Sequence, residues 1–140
     1  MAGRVRNRAQ ASIVRPEPTP AQARGRQAEQ LAEQYLRERG LRPIARNVHC
    51  RGGEIDLVCL DDDILVFVEV RLRRNDRFGG AAASITPRKQ QRVILAAQWW
   101  LSTGGRRHAK RVCRFDAVLF DALDARSIEW IRAAFTLDTW

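Results

Sequence analysis

Hydrophobic residues spaced three and four positions apart predict a helix near the start of the chain. The positions that share this spacing are Ala28, Leu31, Ala32, Tyr35 and Leu36. Such spacing places apolar side chains on one face of a helix. Thr19-Pro20 before them is a typical N-cap followed by proline at the first helical position, and Gly40 is a typical C-terminal cap. The sequence therefore predicts one helix of about twenty residues that begins near Pro20.

Three segments with strand-like hydrophobic patterns follow this helix. Residues 41–48 are a weak candidate because a proline interrupts them, whereas residues 54–60 and Ile64–Leu72 are stronger. The three consecutive aspartates between the last two segments predict the turn of a hairpin. A turn of two residues and a turn of four residues both place Asp56 opposite Glu69, so the choice of turn stays open.

A second helix and two further strands complete the predicted elements. Residues 73–85 form a loop, and Thr86-Pro87 after it is again a cap followed by proline. The predicted buried positions of the helix are Val93, Ala96, Ala97, Trp100 and Leu101. A pair of glycines ends this helix, and residues 112–120 and 128–135 then form two strands around a short turn.

The order α-β-β-β-α-β-β predicts an α/β fold in which a mixed sheet is flanked by helices. We expect residues 19–140 to form a single domain. Residues 1–18 contain four arginines, two prolines and little hydrophobicity. They are therefore predicted to be a disordered basic arm.

The net charge points to a polyanionic partner. Of the 140 residues, 25 are basic and 16 are acidic, which gives a formal net charge of +9. Basic side chains gain affinity for nucleic acids because they release counterions from phosphates. We therefore expect a polyanion such as nucleic acid as the partner. A solvated arginine-rich surface is the alternative.

Composition also limits the class of protein. The charged fraction is 29%, and no apolar run approaches the roughly eighteen residues of a membrane span, so a membrane-embedded chain is excluded. The opening segment lacks the apolar core of a secretory signal. Three cysteines without a C-x-x-C pair argue against a disulfide framework and against a zinc ribbon. We therefore expect a cytoplasmic protein.

Asp56 and Glu69 are the strongest candidates for chemistry. The predicted hairpin places their Cβ atoms about 5 Å apart on one face, beside Val58 and Phe67. The predicted opposite face consists of Ile55, Leu57, Val68 and Val70. Two adjacent carboxylates repel each other and lose hydration unless a cation lies between them or one is protonated. Mg2+ or Mn2+ suits such a pair and would activate a water at a phosphodiester, whereas arginine partners are the alternative.

Several blocks of the sequence resemble the YraN family of bacterial proteins, UPF0102. The blocks are Gly53-Glu-Ile-Asp-Leu57 and Val66-Phe-Val-Glu-Val-Arg71, with Ala28-Glu29, Arg46-Asn47, Phe78-Gly79, Lys89-Gln90 and Arg114-Phe115-Asp116. This family is similar to the PD-(D/E)xK nuclease superfamily and in particular to archaeal Holliday-junction resolvases. The resemblance therefore implies a restriction-endonuclease-like core.

The resemblance also implies individual roles. Asp56 corresponds to the metal-binding aspartate of the superfamily, Glu69 to the acidic residue of its E-x-K motif, and Glu29 to its helical glutamate. Arg71 occupies the lysine position. Arginine stays charged and is a poor base, although it can clamp a phosphate. Lys89, in the first turn of the second helix, is a candidate to compensate.

Further basic residues are candidates for phosphate contacts. These nucleic-acid-binding candidates are Arg73, Arg74, Arg77, Lys89 and Arg114. Arg114 shares a strand face with Asp116, so a structural ion pair is the alternative for it. Three tryptophans, Trp99, Trp100 and Trp130, either stack on bases or belong to the core.

The leading hypothesis is a DNA-binding, Mg2+- or Mn2+-dependent endonuclease, with branched DNA as the substrate that the resolvase resemblance implies. The alternative is a non-catalytic nucleic-acid-binding module on a nuclease scaffold. A third reading is a protein-binding adaptor that contacts nucleic acid only through its basic arm. Because the resembling resolvases are symmetric dimers, a homodimer is also an expectation.

Overall fold

In a computed structural model, which describes residues 16–72 and 85–136, two helices and five strands follow the predicted order. Helix α1 spans Pro20–Glu38 and helix α2 spans Pro87–Ser102. The strands are β1 (Arg42–Cys50), β2 (Gly53–Asp61), β3 (Ile64–Leu72), β4 (Cys113–Phe120) and β5 (Ile128–Phe135). The α/β class and the order of its elements are thereby confirmed.

Both helices begin at the predicted caps. The Thr19 hydroxyl accepts a hydrogen bond from the Gln22 backbone amide at 3.1 Å, and the Gln22 side chain accepts one from the Thr19 amide at 2.9 Å. Thr86 likewise accepts from the Lys89 amide at 3.3 Å. These bonds satisfy amides that have no partner within the helix. The cap at Thr86 fixes where α2 starts and therefore where Lys89 lies.

The five strands form one sheet in the order β1-β2-β3-β4-β5. The β3–β4 pair is parallel, because the chain crosses over through α2 between them, and the other three pairs are antiparallel. The predicted mixed sheet is confirmed. The two helices pack on opposite faces of this sheet.

Each helix buries an apolar stripe against one face of the sheet. On the α1 face, Ala28, Ala32 and Leu36 pack against even-numbered residues of β3 and β4 such as Val68 and Val118. On the α2 face, the packed residues include Val93, Ala96, Ala97, Trp100, Phe67 and Phe115. The strands β2 to β4 are therefore covered on both faces, and a carboxyl group within them is taken out of water.

Helix α2 approaches β2 closely at Gly53. A Cβ atom at this position would overlap the carbonyl oxygen of Arg92 and lie 3.0 Å from the backbone nitrogen of Ala96. Glycine therefore allows the backbone of α2 to rest directly on the sheet. This contact holds the basic first half of α2 against the carboxylate-bearing hairpin.

The hairpin has the predicted register and the shorter of the two turns considered. Asp61 pairs with Ile64, and the turn consists of Asp62 and Asp63 alone. Asp62 has a left-handed backbone, with φ of 53°. Aspartate tolerates this conformation better than most residues, which explains a two-residue turn without glycine.

The predicted alternation of faces along β2 is wrong at one point. We expected Asp56 and Val58 on one face, with Ile55 and Leu57 on the other. Instead Ile55 packs with Val58 in the core beneath α2, and Asp56 and Leu57 both line a cavity beside α1. Opposite Asp56 in β1, Asn47 has a left-handed backbone with φ of 50°. The regular pleat is interrupted here in both strands.

Several expectations concern residues outside the described ranges. Residues 1–15 of the predicted basic arm and the loop residues Arg73, Arg74 and Arg77 are among them. The three cysteines are free thiols. No helix in the described ranges is long and apolar enough to cross a membrane.

Candidate active site

Asp56 and Glu69 meet where the backbone pairing of the hairpin ends. The last paired residues are Leu57 and Val68. Beyond them, the Oδ2 atom of Asp56 accepts a hydrogen bond from the backbone amide of Val70 at 2.8 Å. The Glu69 residue is only 7% exposed, and a hydrogen bond with Asp56 is among the causes that raise its pKa. The hairpin thus places the two carboxyl groups within hydrogen-bonding reach of each other.

Burial is the main reason why the pKa of Glu69 lies well above its usual range. The hydrogen bond to Asp56 and the negative charge of Asp56 raise this pKa further. The positive charge of Arg71 lowers the pKa of Glu69. The contact is long, however, because the Arg71 Nη1 atom is 4.0 Å from the Glu69 Oε2 atom. One arginine at this distance does not offset burial and the adjacent carboxylate, so the pKa of Glu69 stays raised.

Glu69 faces a cavity of about 270 Å³ beside α2. Arg71, Lys89 and Arg92 line the same cavity. Burial and the charge of Arg71 lower the pKa of Lys89, while Glu69 partly opposes this shift. The structure therefore brings Lys89 to the same cavity as Arg71 and Glu69, as the sequence suggested.

Asp56 faces a second cavity, of about 460 Å³, between α1 and the hairpin. Glu29 lines it and is half-buried. Burial, together with the charge of Asp56, raises the pKa of Glu29 to about 7, against a hydrogen bond from Asn47 that lowers it. Glu29 is thus electrostatically coupled to Asp56. The Asp56–Glu69 pair lies between the two cavities.

Glu33 lines the same cavity one helical turn after Glu29, but unlike Glu29 it is paired with arginines. The Arg46 guanidinium donates two hydrogen bonds to it, and Arg37 lies 3.1 Å away. The hydrogen bond from Arg46 keeps the pKa of Glu33 below its usual range. Glu33 is therefore a structural ion-pair partner, and Glu29 is the acidic residue of α1 that belongs with Asp56.

Arg114 is not part of this site. Its Nε and Nη2 atoms donate to Asp116 at 2.8 and 3.0 Å, and Nη2 also donates to Asp61 at 3.0 Å. Arg114 lies in β4 opposite Val66 of β3, which is three residues before Glu69. Its ion pairs are on the face of the sheet that α1 covers, whereas Glu69 faces the cavity beside α2. The structural ion pair is confirmed, and because two carboxylates already hold the Arg114 guanidinium, its role in nucleic-acid binding stays an untested prediction that the structure does not favour.

Sequence analysis missed Asn47 and Arg92 as members of the site. Asn47 belongs to one of the blocks that carry the family resemblance, and asparagine is among the few residues that adopt a left-handed backbone readily. Arg92 follows Lys89 by three residues and therefore lies near it on α2. The sequence contains both residues in recognisable positions, but it is the packing of α1 and α2 onto the sheet that brings Asn47 and Arg92 to the two cavities.

The donor atoms present fit a hard cation bound by two carboxylates. Asp56 and Glu69 offer oxygen ligands, which Mg2+ and Mn2+ prefer, and a cation between them would offset their repulsion. Within the described ranges there is no group of three or more His, Cys, Asp or Glu side chains close enough to hold a metal ion. A metal here would thus depend on water or phosphate oxygens for its remaining ligands.

Comparison with known proteins shows extensive similarity. A family model described as "Uncharacterised protein family UPF0102" matches residues 28–120, more than half of the chain. A UPF0102 protein of Saccharophagus degradans is 54% identical over 114 residues, which cover 81% of this chain and 93% of that protein. UPF0102 proteins of Yersinia pseudotuberculosis and Yersinia pestis are each 54% identical over 114 residues, covering 81% of this chain and 95% of theirs. The matched residues 28–120 include both carboxylates of the pair.

Proposed function

This chain belongs to the uncharacterised protein family UPF0102, and from that premise we propose that it binds DNA and hydrolyses phosphodiesters as a metal-dependent endonuclease. The observation that carries the proposal is the buried Glu69 carboxyl. It contacts Asp56 and faces a cavity lined by Arg71 and Lys89. A structural ion pair would neutralise both acids, as Arg46 and Arg37 do for Glu33.

We further propose that the fold is restriction-endonuclease-like. A mixed sheet between two helices carries a hairpin with Asp56 on one strand, Glu69 on the other, and a basic residue two positions after Glu69. This is the arrangement implied by the resemblance to the PD-(D/E)xK superfamily. It supports the assignment of Asp56, Glu69 and Arg71 to the superfamily's motif positions. The two-fold dimer of the resembling resolvases is part of the proposal.

Asp56 and Glu69 are the proposed metal ligands. When bound, Mg2+ or Mn2+ supplies Lewis-acid stabilisation of the phosphodiester and a more acidic water. Glu69 must lose its proton to bind a cation, so metal binding and deprotonation are linked at this residue. The hydrogen bond from the Val70 amide holds the Asp56 carboxylate in place beside Glu69.

The remaining residues of the site bind the substrate and move protons. Arg71 binds a phosphate oxygen, since its guanidinium stays charged at any relevant pH. Lys89 lines the same cavity, so it is the group best placed to orient the attacking water. Glu29, with a pKa of about 7, exchanges protons near neutral pH beside Asp56.

A second candidate function is a non-catalytic nucleic-acid-binding module. Two observations favour it: Arg71 occupies the position at which the superfamily has a lysine, and only two carboxyl groups are in direct contact, with no third metal-binding group close enough in the described ranges. The three free cysteines fit the reducing cytoplasm, the compartment that we propose under either function.

A cleavage assay separates the two functions. Labelled four-way junction and matched duplex DNA are incubated with the wild-type chain and with Asp56→Asn, Glu69→Gln and Asp62→Asn, with Mg2+, with Mn2+ and with chelator. Asp62→Asn is the matched control, because it lies at the exposed tip of the same hairpin in a left-handed conformation that asparagine also adopts.

We expect metal-dependent cleavage by the wild-type chain and by Asp62→Asn, and a loss of at least about 100-fold in the other two variants. Salt-sensitive binding without cleavage in all four proteins would establish the non-catalytic module instead. Absence of both binding and cleavage would contradict the proposal.

A further inference from the structure

Helix α2 carries an exposed apolar patch formed by Leu95 and Trp99. The two residues lie one helical turn apart and are 44% and 45% exposed. Arg88 and Arg92 precede them at spacings that place all four residues in one stripe along the helix. The stripe therefore joins an aromatic side chain to two of the basic residues that line the cavity of Glu69.

Trp99 differs from the other tryptophans that the structure describes. Trp100 is 8% exposed and belongs to the core, where it stacks on His108. Trp130 is half-buried, and its Nε1 atom donates a hydrogen bond to Asp116 at 3.0 Å. Both have structural roles. Trp99 is the one of the three that is exposed, at 45%.

The charged side chains of α2 itself are all basic. The sequence of α2 contains three basic residues and no acidic residue. Arg92 and Trp99 are seven residues apart, which is about 10 Å along the helix axis. This distance corresponds to about three base steps of a nucleic-acid strand. A strand bound through its phosphates at Arg88 and Arg92 can therefore bring a base to Trp99.

Building on the proposed function, we propose that Trp99 stacks on an unpaired base of a strand whose phosphates contact Arg88 and Arg92. A base within a duplex has both faces covered by its neighbours, so an exposed tryptophan offers stacking only to a base that has left the helix. The substrate class is therefore nucleic acid with a single-stranded segment next to the candidate active site.

Equilibrium binding measured by fluorescence anisotropy tests this inference. The probes are a labelled single strand and a fully paired duplex of the same length, at a fixed salt concentration without divalent metal. The proteins are the wild-type chain, Trp99→Ala, Trp99→Phe and Val112→Ala. Val112 is a control for loss of an exposed apolar side chain, because it is 70% exposed and lies outside α2.

We expect Trp99→Ala to weaken single-strand binding by roughly 5- to 100-fold and duplex binding by less than about 2-fold. Trp99→Phe should retain most of the affinity, because it keeps an aromatic face, and Val112→Ala should bind as the wild type does. Equal effects on both probes, or no effect on either, would overturn the inference while leaving the proposed function intact.

Two other outcomes have distinct meanings. If the wild-type chain binds neither probe, the proposed function itself fails and the inference fails with it. If sedimentation velocity shows a wild-type dimer that Trp99→Ala dissociates, the patch is an interface with a second copy of the chain, and the inference is overturned.

Discussion

The Asp56 side chain accepts the hydrogen bond of the Val70 backbone amide at 2.8 Å, beyond the last backbone pair of the hairpin. A carboxylate thus bonds a strand amide at the point where the two strands separate. This bond fixes Asp56 beside Glu69, whose carboxyl is buried. The local departure from regular pairing is therefore what creates the candidate active site.

Glu69→Gln should remove part of the pH dependence of stability. The folded state raises the pKa of Glu69 above its unfolded value, so its contribution is fully present below about pH 4.5 and is lost as pH rises through the folded pKa. Without divalent metal, the variant should be more stable than the wild type at pH 8 by at least about 1 kcal/mol.

Urea denaturation over a pH series checks this prediction, with Asp62→Asn as the control. Near pH 4 the unfolding free energies of the wild type and Glu69→Gln should agree within about 0.5 kcal/mol. Parallel curves at all pH values would show that Glu69 is ionised in the folded chain and that the raised pKa is wrong.

Gly53→Ala should destabilise the fold, because the new Cβ would overlap the carbonyl oxygen of Arg92 and force α2 away from β2. A loss of about 1–3 kcal/mol is expected from such overpacking. Gly25→Ala in α1 is the matched control: its Cβ would meet nothing within 4 Å, and alanine should raise stability by about 0.5–1 kcal/mol. Thermal and urea denaturation measure both, and an equal response would contradict the close approach of α2.

Asp116→Ala should be among the most destabilising substitutions in β4. This fully buried carboxylate accepts hydrogen bonds from Arg114, from Trp130 Nε1 at 3.0 Å and from the Ala133 amide at 2.9 Å. Its removal leaves the Trp130 and Ala133 donors unpaired and takes from Arg114 one of its two carboxylate partners, with an expected cost of about 2–4 kcal/mol. Asp63→Ala, at the exposed hairpin tip, should change stability by less than about 0.5 kcal/mol. Comparable losses in denaturation would mean that the Arg114 pair is not structural.

Arg71→Gln should reduce the salt dependence of nucleic-acid binding. Removal of one phosphate contact lowers the slope of log K against log salt by about 0.9 for duplex DNA. Arg71→Lys should keep the slope, because it keeps the charge. Arg126→Gln, an exposed arginine paired with Asp124 in the turn before β5, is the control and should leave the slope unchanged. Anisotropy titrations at several salt concentrations decide whether Arg71 contacts phosphate.

Much of the fold could be predicted from the sequence, because each element has a local signal. Threonine-proline pairs mark the starts of both helices, and the bounds of Ile64–Leu72 and Ile128–Phe135 follow from their hydrophobic runs. The register of the hairpin also follows locally. A short turn between two alternating strands fixes which residues face each other, so the pairing of Asp61 with Ile64 extends back toward Asp56 and Glu69.

The features that could not be predicted depend on contacts distant in sequence. Asp56 turns toward α1 at a point where Asn47, in another strand, has a left-handed backbone. Arg114 is held by Asp61, which lies 53 residues away, as well as by its neighbour Asp116. Strand periodicity assumes a regular pleat and considers one strand at a time. It therefore predicts neither the interrupted pleat at Asp56 nor Asp61 as the second ion-pair partner of Arg114.

Calorimetric titration of Mn2+ at pH 8 tests the central claim, that Asp56 and Glu69 form a cation site, most directly. The wild-type chain and Asp62→Asn should bind Mn2+ with the same affinity and release a proton from Glu69, which is detected as a dependence of the heat on buffer ionisation. Asp56→Asn should weaken binding at least about tenfold, the equivalent of 1.4 kcal/mol. No binding by the wild-type chain, or equal binding by Asp56→Asn, would contradict the account.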